Sequence, residues 1–183
     1  MPPSNAPPTL RLYNLNVQGL TSPKFLSLLR WLREQSAHGA VLTETHLTSD
    51  PADMVSAAAG GGTIWPGMRI FHVPGTGTTG GVTVVLGPSP YITDPVQFSG
   101  GHGINTRVIR LDLNFFEQAS TLIGVYGPAQ HVEREDFYAN MLPQFMPPTA
   151  TGRRIIISTS SPAIWIVGMR TTTTPLSDPT RAS

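Results

Sequence analysis

The sequence predicts an α/β domain, and three observations carry that reading. Short apolar runs, most of them bounded by glycine or proline, recur between Leu10 and Ile157. A helix with a marked start falls between the first two runs, so strand, helix and strand follow one another from Leu10 to Thr43. That order is a βαβ unit, which implies parallel strands and a right-handed crossover. With 183 residues, 39% of them apolar, the chain is long enough for one domain with its own core.

Residues 1–9 read as a flexible, polyproline-like lead. From Leu10 to Val17 the residues alternate, and Leu10, Leu12, Asn14 and Asn16 share one face. Polar side chains enter the leucine face only at its C-terminal end, and Gly19 breaks the strand. Ser22-Pro23 reads as a helix start, a hydroxyl cap followed by proline at the first helical position. Leu26, Leu29, Arg30 and Arg33 follow at helical spacing, with Leu28 and Leu32 widening the apolar face toward Trp31. The helix is expected to end between Gln35 and Gly39. Ala40 to Thr43 is a buried strand that runs straight into Glu44-Thr45-His46, the pattern of a strand that delivers a carboxylate to a sheet rim.

Asp50 to Gly67 reads as loop, Met68 to Val73 as strand, Pro74 to Thr79 as turn and Gly80 to Leu86 as strand. A loop is expected from Gly87 to about Gly103, with Gly100-Gly101-His102-Gly103 exposed. From Thr106 to Leu113, Val108, Arg110 and Asp112 alternate with Arg107, Ile109, Leu111 and Leu113, which predicts a half-buried strand. Leu122 to Tyr126 is another strand. Glu133 to Gln144 predicts a second helix, with Phe137, Met141, Leu142 and Phe145 on one face and Glu133 and Glu135 in the first turn, where the dipole favours them. Pro143 and Pro147-Pro148 end it. Arg153 to Ile157 begins as a buried strand, after which Ser158 to Pro162 breaks the pattern. Ile164 to Val167 is a second short apolar run, and Thr171 to Ser183 is low in complexity.

Composition excludes several function classes. A formal net charge of +1 is too balanced for nucleic-acid binding by charge alone. Without cysteine there are no disulfide partners and no thiolate metal sites. The five histidines show no paired zinc-ligand spacing. The N-terminus lacks the basic and apolar regions of a signal peptide, and no apolar run reaches the ~20 residues of a membrane span. An intracellular protein with no membrane partner is expected.

Leu15-Asn16-Val17-Gln18-Gly19-Leu20, Leu42-Thr43-Glu44-Thr45-His46, Gly80-Gly81-Val82 and Gly124-Val125-Tyr126-Gly127-Pro128 occur in that order. This ordered set resembles the endonuclease/exonuclease/phosphatase superfamily, and within it the apurinic-type endonuclease domains of non-LTR (LINE-type) retrotransposons. The resemblance covers Leu10 to Ile157. It implies part of a four-layer α/β/β/α sandwich of the DNase I type with its C-terminal portion truncated, over residues 10–157, and a diverged, disordered tail over residues 158–183. It also implies hydrolysis of DNA phosphodiester bonds, with Mg²⁺ (Mn²⁺ as the alternative ion) as cofactor and DNA as partner. A retrotransposon origin would place the protein in the nucleus. By resemblance Glu44 and Asn16 hold the metal, with Thr45 beside them, and Tyr126 is catalytic. Gln18, His46 and Arg107 contact the substrate phosphate.

The sequence also departs from the family pattern. Gln18 stands where Asp or Asn is usual, and Ala129 stands where an Asn is expected. The Gly-Asp-x-Asn that follows the next strand, whose Asp activates the attacking water, is replaced by Ser158-Thr159-Ser160-Ser161. No carboxylate occurs between Asp136 and Asp178, and Ser177-Asp178-Pro179 has proline where a closing Ser-Asp-His requires histidine. These departures imply a slow or inactive chain. A non-catalytic remnant that binds nucleic acid weakly, and a sugar or lipid phosphatase of the same superfamily, are the alternatives.

Overall fold

A computed structural model describes residues 10–51, 53, 64–98, 106–146, 153–158 and 164–167. Two sheets stack face to face. The first has strand order β1-β2-β4-β3, built from β1 (Leu12–Asn16), β2 (Gly39–Thr43), β3 (Arg69–Gly75) and β4 (Gly80–Leu86). The second has order β5-β6-β7-β8-β9, from β5 (Ile92–Gln97), β6 (Val108–Phe115), β7 (Gln118–Val125), β8 (Arg153–Ser158) and β9 (Ile164–Val167). As the βαβ reading requires, β1 and β2 are parallel, with Asn16 opposite Thr43.

Alternation along the strands divides the side chains into three cores. Val41, Val82, Val84 and Leu86 face Ile109, Leu111, Leu113 and Leu122 between the sheets. The opposite face of the first sheet, through Ala40, Leu42 and Val85, buries Phe25, Leu29 and Leu32 of helix α1 (Ser22–Glu34). Each of these three helix side chains is fully buried, which contributes about 1.5–3 kcal/mol apiece. On the outer face of the second sheet, Val108, Ile123 and Val125 pack against Phe137, Leu142 and Phe145. Helical, sheet, sheet and helical layers therefore follow one another, the four-layer α/β/β/α arrangement expected.

Several local expectations are corrected. Helix α1 is flanked by Thr21, not capped by Ser22; extended Thr21 closes the first turn through its carbonyl, which accepts from Phe25 N–H at 2.8 Å, and no side chain caps the helix. Strand β3 runs through Pro74 and Gly75, where a turn was expected. It is the edge strand, where a missing N–H costs no ladder bond, and Gly75 pairs with Gly80. The loop expected from Gly87 contains β5. Asp94-Pro95, inside that expected loop, sits in a register shift between Thr93 and Val96 on the other sheet's edge, with Asp94 at φ +50°. Strand β6 is buried on both faces from Val108 to Leu111, not half-buried, because the layer built on Phe137 and Phe145 covers its outer side.

The second helix is shorter than predicted. Helix α2 (His131–Asp136) passes into a wide π-type turn (Phe137–Met141) and a 3₁₀ turn (Leu142–Phe145). The change of winding rotates Met141 off the apolar face, leaving it 37% exposed while Phe137, Leu142 and Phe145 stay buried. Ser158 closes β8, and Ile164–Val167 pairs antiparallel with it as β9. The rest of the expected tail, the lead over residues 1–9 and the glycine-rich Gly100 to Gly103 lie outside the described residues. Among the described residues no helix is long and apolar enough to cross a membrane.

Candidate active site

The chain leaves β2 in an unusual conformation. Glu44 and His46 both adopt left-handed backbone, at φ +54° and +59°, and Gln18 does the same after β1 at φ +45°. For residues with a Cβ this costs about 1–2 kcal/mol each. Four backbone hydrogen bonds hold the Glu44–His46 segment in place. Gly19 N–H donates to the Glu44 carbonyl at 2.7 Å and Leu20 N–H to the Thr45 carbonyl at 2.9 Å. From the other side, Thr45 N–H donates to Gly81 at 3.2 Å and His46 N–H to Gly80 at 3.0 Å. Gly81, at φ +82°, must be glycine: a Cβ there would lie 2.3 Å from Thr45 Oγ1. The Gly80-Gly81 pair that opens β4 is thus also one wall of the segment that carries Glu44.

The side chains gather around Glu44, which is half-buried. Asn16 Nδ2 donates to Glu44 Oε1 at 3.1 Å, and Asn16 Oδ1 accepts from Gln18 N–H at 3.1 Å. His46 Nε2 lies 3.9 Å from Glu44 Oε2. Tyr126 follows the last residue of β7, and its hydroxyl is hydrogen-bonded to Glu44. Burial first, and then the hydrogen bond and charge of Glu44, raise the Tyr126 pKa above its ordinary 10.0, against an opposing pull from Arg107. The Arg107 guanidinium lies over the Tyr126 ring at 5.2 Å, and the Arg107 carbonyl accepts from Tyr126 N–H at 2.8 Å. Asn16, Gln18, Glu44, His46, Arg107 and Tyr126 thus form one continuous set of contacts.

The set occupies the carboxyl end of the parallel pair β1–β2, the edge where open α/β sheets bind ligands. Strand β8 runs parallel to β7 and brings Ser158 opposite Val125, one register step from Tyr126. The donor set fits one direct contact to a hard cation. Glu44 offers two oxygens with about four lone-pair sites, and Asn16 and Tyr126 occupy only some of them. Asn16 meets Glu44 through its amide N–H, with its oxygen engaged by Gln18, so here it orients the carboxylate. Among the described residues no cluster of three or more His, Asp or Glu groups could hold a metal. Mg²⁺ does not need one, since it keeps several waters and takes one or two carboxylates.

Lys24 was passed over in the sequence. Its ammonium donates to the carbonyls of Val17 and Gly19, the second at 3.0 Å. The available signal was a cation in the first turn of a helix with no acidic residue there.

No protein-family model and no curated protein matches the sequence. Solved structures do. An AP endonuclease from Archaeoglobus fulgidus superposes with a TM-score of 0.56 at 14% identity, over 82% of this chain and 56% of its own. The endonuclease domain of TRAS1, a telomere-specific non-LTR retrotransposon, gives 0.54 at 16% identity, over 82% and 60%. The 3′ phosphatase NExo from Neisseria, bound to a product DNA hairpin, gives 0.57 at 18% identity, over 82% and 57%. The chain shares the four-layer α/β/β/α fold of these structures. It spans between 56% and 60% of the length of these three structures. At such identities the likeness is one of fold.

Proposed function

We propose that this domain carries the Glu44 half of a metal-dependent DNA phosphodiesterase site of the retrotransposon endonuclease type, and that it binds DNA phosphate with little or no hydrolysis. The observation that carries this reading is the Asn16–Glu44–Tyr126 hydrogen-bonded set at the carboxyl end of β1 and β2. Support for DNA as the ligand comes from the NExo structure, which holds a DNA hairpin. The Glu-Thr-His segment after β2 and the likeness to the TRAS1 domain favour the retrotransposon type.

In this reading Glu44 holds one Mg²⁺, or Mn²⁺, which when bound would offset charge on the phosphate and the leaving oxygen. Asn16 fixes the carboxylate rotamer from below, and Tyr126 donates its proton to the same group. Arg107, stacked on Tyr126, adds positive charge beside it. In the same reading Gln18, His46 and Arg107 would contact a phosphate that reaches Glu44. The sequence offers no carboxylate between Asp136 and Asp178 to serve as a base for the attacking water. The segment that follows β8 in the sequence is Ser/Thr, and a missing general base lowers the rate by about 10²–10⁴.

That substitution also favours a second reading, a non-catalytic module that binds DNA weakly. A salt-titrated duplex-binding assay with Mg²⁺ and with chelator, run beside a supercoiled-plasmid nicking assay, separates the two, because only the first reading makes binding depend on Mg²⁺ at Glu44. Nicking at background, with binding that weakens by about 0.9 log units per log unit of salt for each phosphate neutralised, is expected. Robust nicking that Glu44→Ala leaves unchanged would remove Glu44 from the site.

A further inference from the structure

We infer that Lys24 is a positioning residue: it holds the Gln18-Gly19 turn in its left-handed form, and through that turn sets Asn16 and Glu44. The inference rests on the reading of Glu44 as a metal-binding carboxylate.

Lys24 sits where a helix disfavours it. It is the third residue of α1, in the first turn, where the macrodipole is positive and where no side chain caps the helix and no acidic residue offsets the charge. A cation there destabilises its own helix. Locally inconsistent choices of this kind are expected where a residue serves something other than its own element. The Lys24 ammonium spans two carbonyls of the loop that leaves β1, those of Val17 and Gly19, and so brackets Gln18.

Those two carbonyls belong to the turn with left-handed residues in succession, Gln18 at φ +45° and Gly19 at φ +86°. With Val17 and Gly19 carbonyls directed to Lys24, the N–H groups of the same turn face the other way. Gln18 N–H, in the same peptide as the Val17 carbonyl, meets Asn16 Oδ1 at 3.1 Å; Leu20 N–H, in the same peptide as the Gly19 carbonyl, meets the Thr45 carbonyl at 2.9 Å, beside the Gly19 N–H that meets the Glu44 carbonyl at 2.7 Å. Asn16 then presents its amide to Glu44 Oε1. One ammonium is therefore linked to the carboxylate by two routes, one through the Asn16 side chain and one through the Glu44 backbone. Neither route uses substrate, so the effect is on the geometry of the site before substrate binds.

The test compares the full chain with Lys24→Met, Lys24→Arg and Glu44→Ala, with Mn²⁺ alone as the probe. Free Mn²⁺ is followed by electron paramagnetic resonance, and amide exchange at Gln18 and Gly19 by NMR. Removing a group that orients a metal ligand typically weakens metal affinity 10–100-fold. Lys24→Met is expected to weaken Mn²⁺ binding by that factor and to speed exchange at Gln18 and Gly19, with the melting temperature held or raised by relief of the dipole clash. Lys24→Arg, which still offers donors to two carbonyls, is expected to restore Mn²⁺ affinity to within a few-fold of wild type.

Unchanged exchange at Gln18 and Gly19 in a folded Lys24→Met variant overturns the inference, and so does Mn²⁺ affinity equal to wild type. If the wild-type chain binds no Mn²⁺, or Glu44→Ala binds it equally well, the reading of the site fails instead. The exchange measurement then still decides whether Lys24 holds the turn.

Discussion

Gly81→Ala is the most informative single perturbation of the scaffold. The new Cβ would sit 2.3 Å from Thr45 Oγ1, 3.2 Å from Gly75 N and 3.3 Å from His46 N. The backbone there is at φ +82°, so an L side chain costs about 1–2 kcal/mol before any contact is counted. Forcing a methyl into filled space adds about 1–3 kcal/mol. The sum, about 2–5 kcal/mol, is a large part of the ~5–15 kcal/mol that holds a domain together. A double-mutant cycle separates the two contributions. Among the described residues Thr45 Oγ1 is buried without a hydrogen-bond partner, so Thr45→Ala forfeits no bond there and opens space for the new methyl. Urea denaturation of Gly81→Ala, Thr45→Ala and the double variant should then show a favourable coupling of about 1–3 kcal/mol, with the backbone penalty left over. A loss below about 1 kcal/mol in Gly81→Ala, or strict additivity in the double variant, would refute the close approach of β4 to the Glu44 segment.

Two further outcomes follow from the same geometry. Because the folded Tyr126 pKa is raised, the neutral phenol is favoured in the native state. Its contribution to stability is full below pH 10.0 and is lost as pH climbs through the raised folded value. Tyr126→Phe should flatten that alkaline loss in urea melts, and Glu44→Ala should lower the Tyr126 pKa in a difference absorbance titration against Tyr126→Phe. A Tyr126 pKa unmoved by Glu44→Ala contradicts the hydrogen bond. Separately, the β6–β7 hairpin turns through Phe116 and Glu117 at φ +49° and +61°, a conformation that asks for Asn-Gly. Glu117 is exposed, so Glu117→Gly should raise stability by about 1 kcal/mol, and an unchanged denaturation midpoint would count against the left-handed turn.

Some of this was legible in the sequence and some was not, for identifiable reasons. Apolar alternation in Leu10 to Asn16 and the run Ala40 to Thr43 fixed β1, β2 and their parallel pairing, because each periodicity was uninterrupted and the helix between them was long. The ends of those strands deliver Asn16 and Glu44, so the centre of the site was readable too. Strand β5 was not, since Asp94-Pro95 carries the composition of a turn and only pairing with β6 across the register shift overrides it. The winding of Phe137–Met141 was equally hidden: its hydrophobic residues fit an α-helix as well as the π-type turn that forms. Nothing in a glutamate or histidine announces a left-handed backbone. That feature of Glu44 and His46 arises from the carbonyls of Gly80 and Gly81 and the amides of Gly19 and Leu20, which are distant in sequence. Lys24 is the intermediate case, visible as an oddity of its own helix but explicable only once the carbonyls of Val17 and Gly19 are in place.

The central claim is that Glu44, held by Asn16 and Tyr126, makes this edge of the sandwich a metal-assisted binding site for DNA phosphate. Its most direct test is the affinity of the chain for a short DNA duplex at one fixed ionic strength, with Mg²⁺ and with chelator, in wild type and in Glu44→Ala. Mg²⁺ is expected to tighten binding by the wild-type chain roughly tenfold or more, the scale on which a metal contact acts, and to change binding by Glu44→Ala little. Equal affinity with and without Mg²⁺ in the wild-type chain, or an equal Mg²⁺ effect in Glu44→Ala, would contradict the claim.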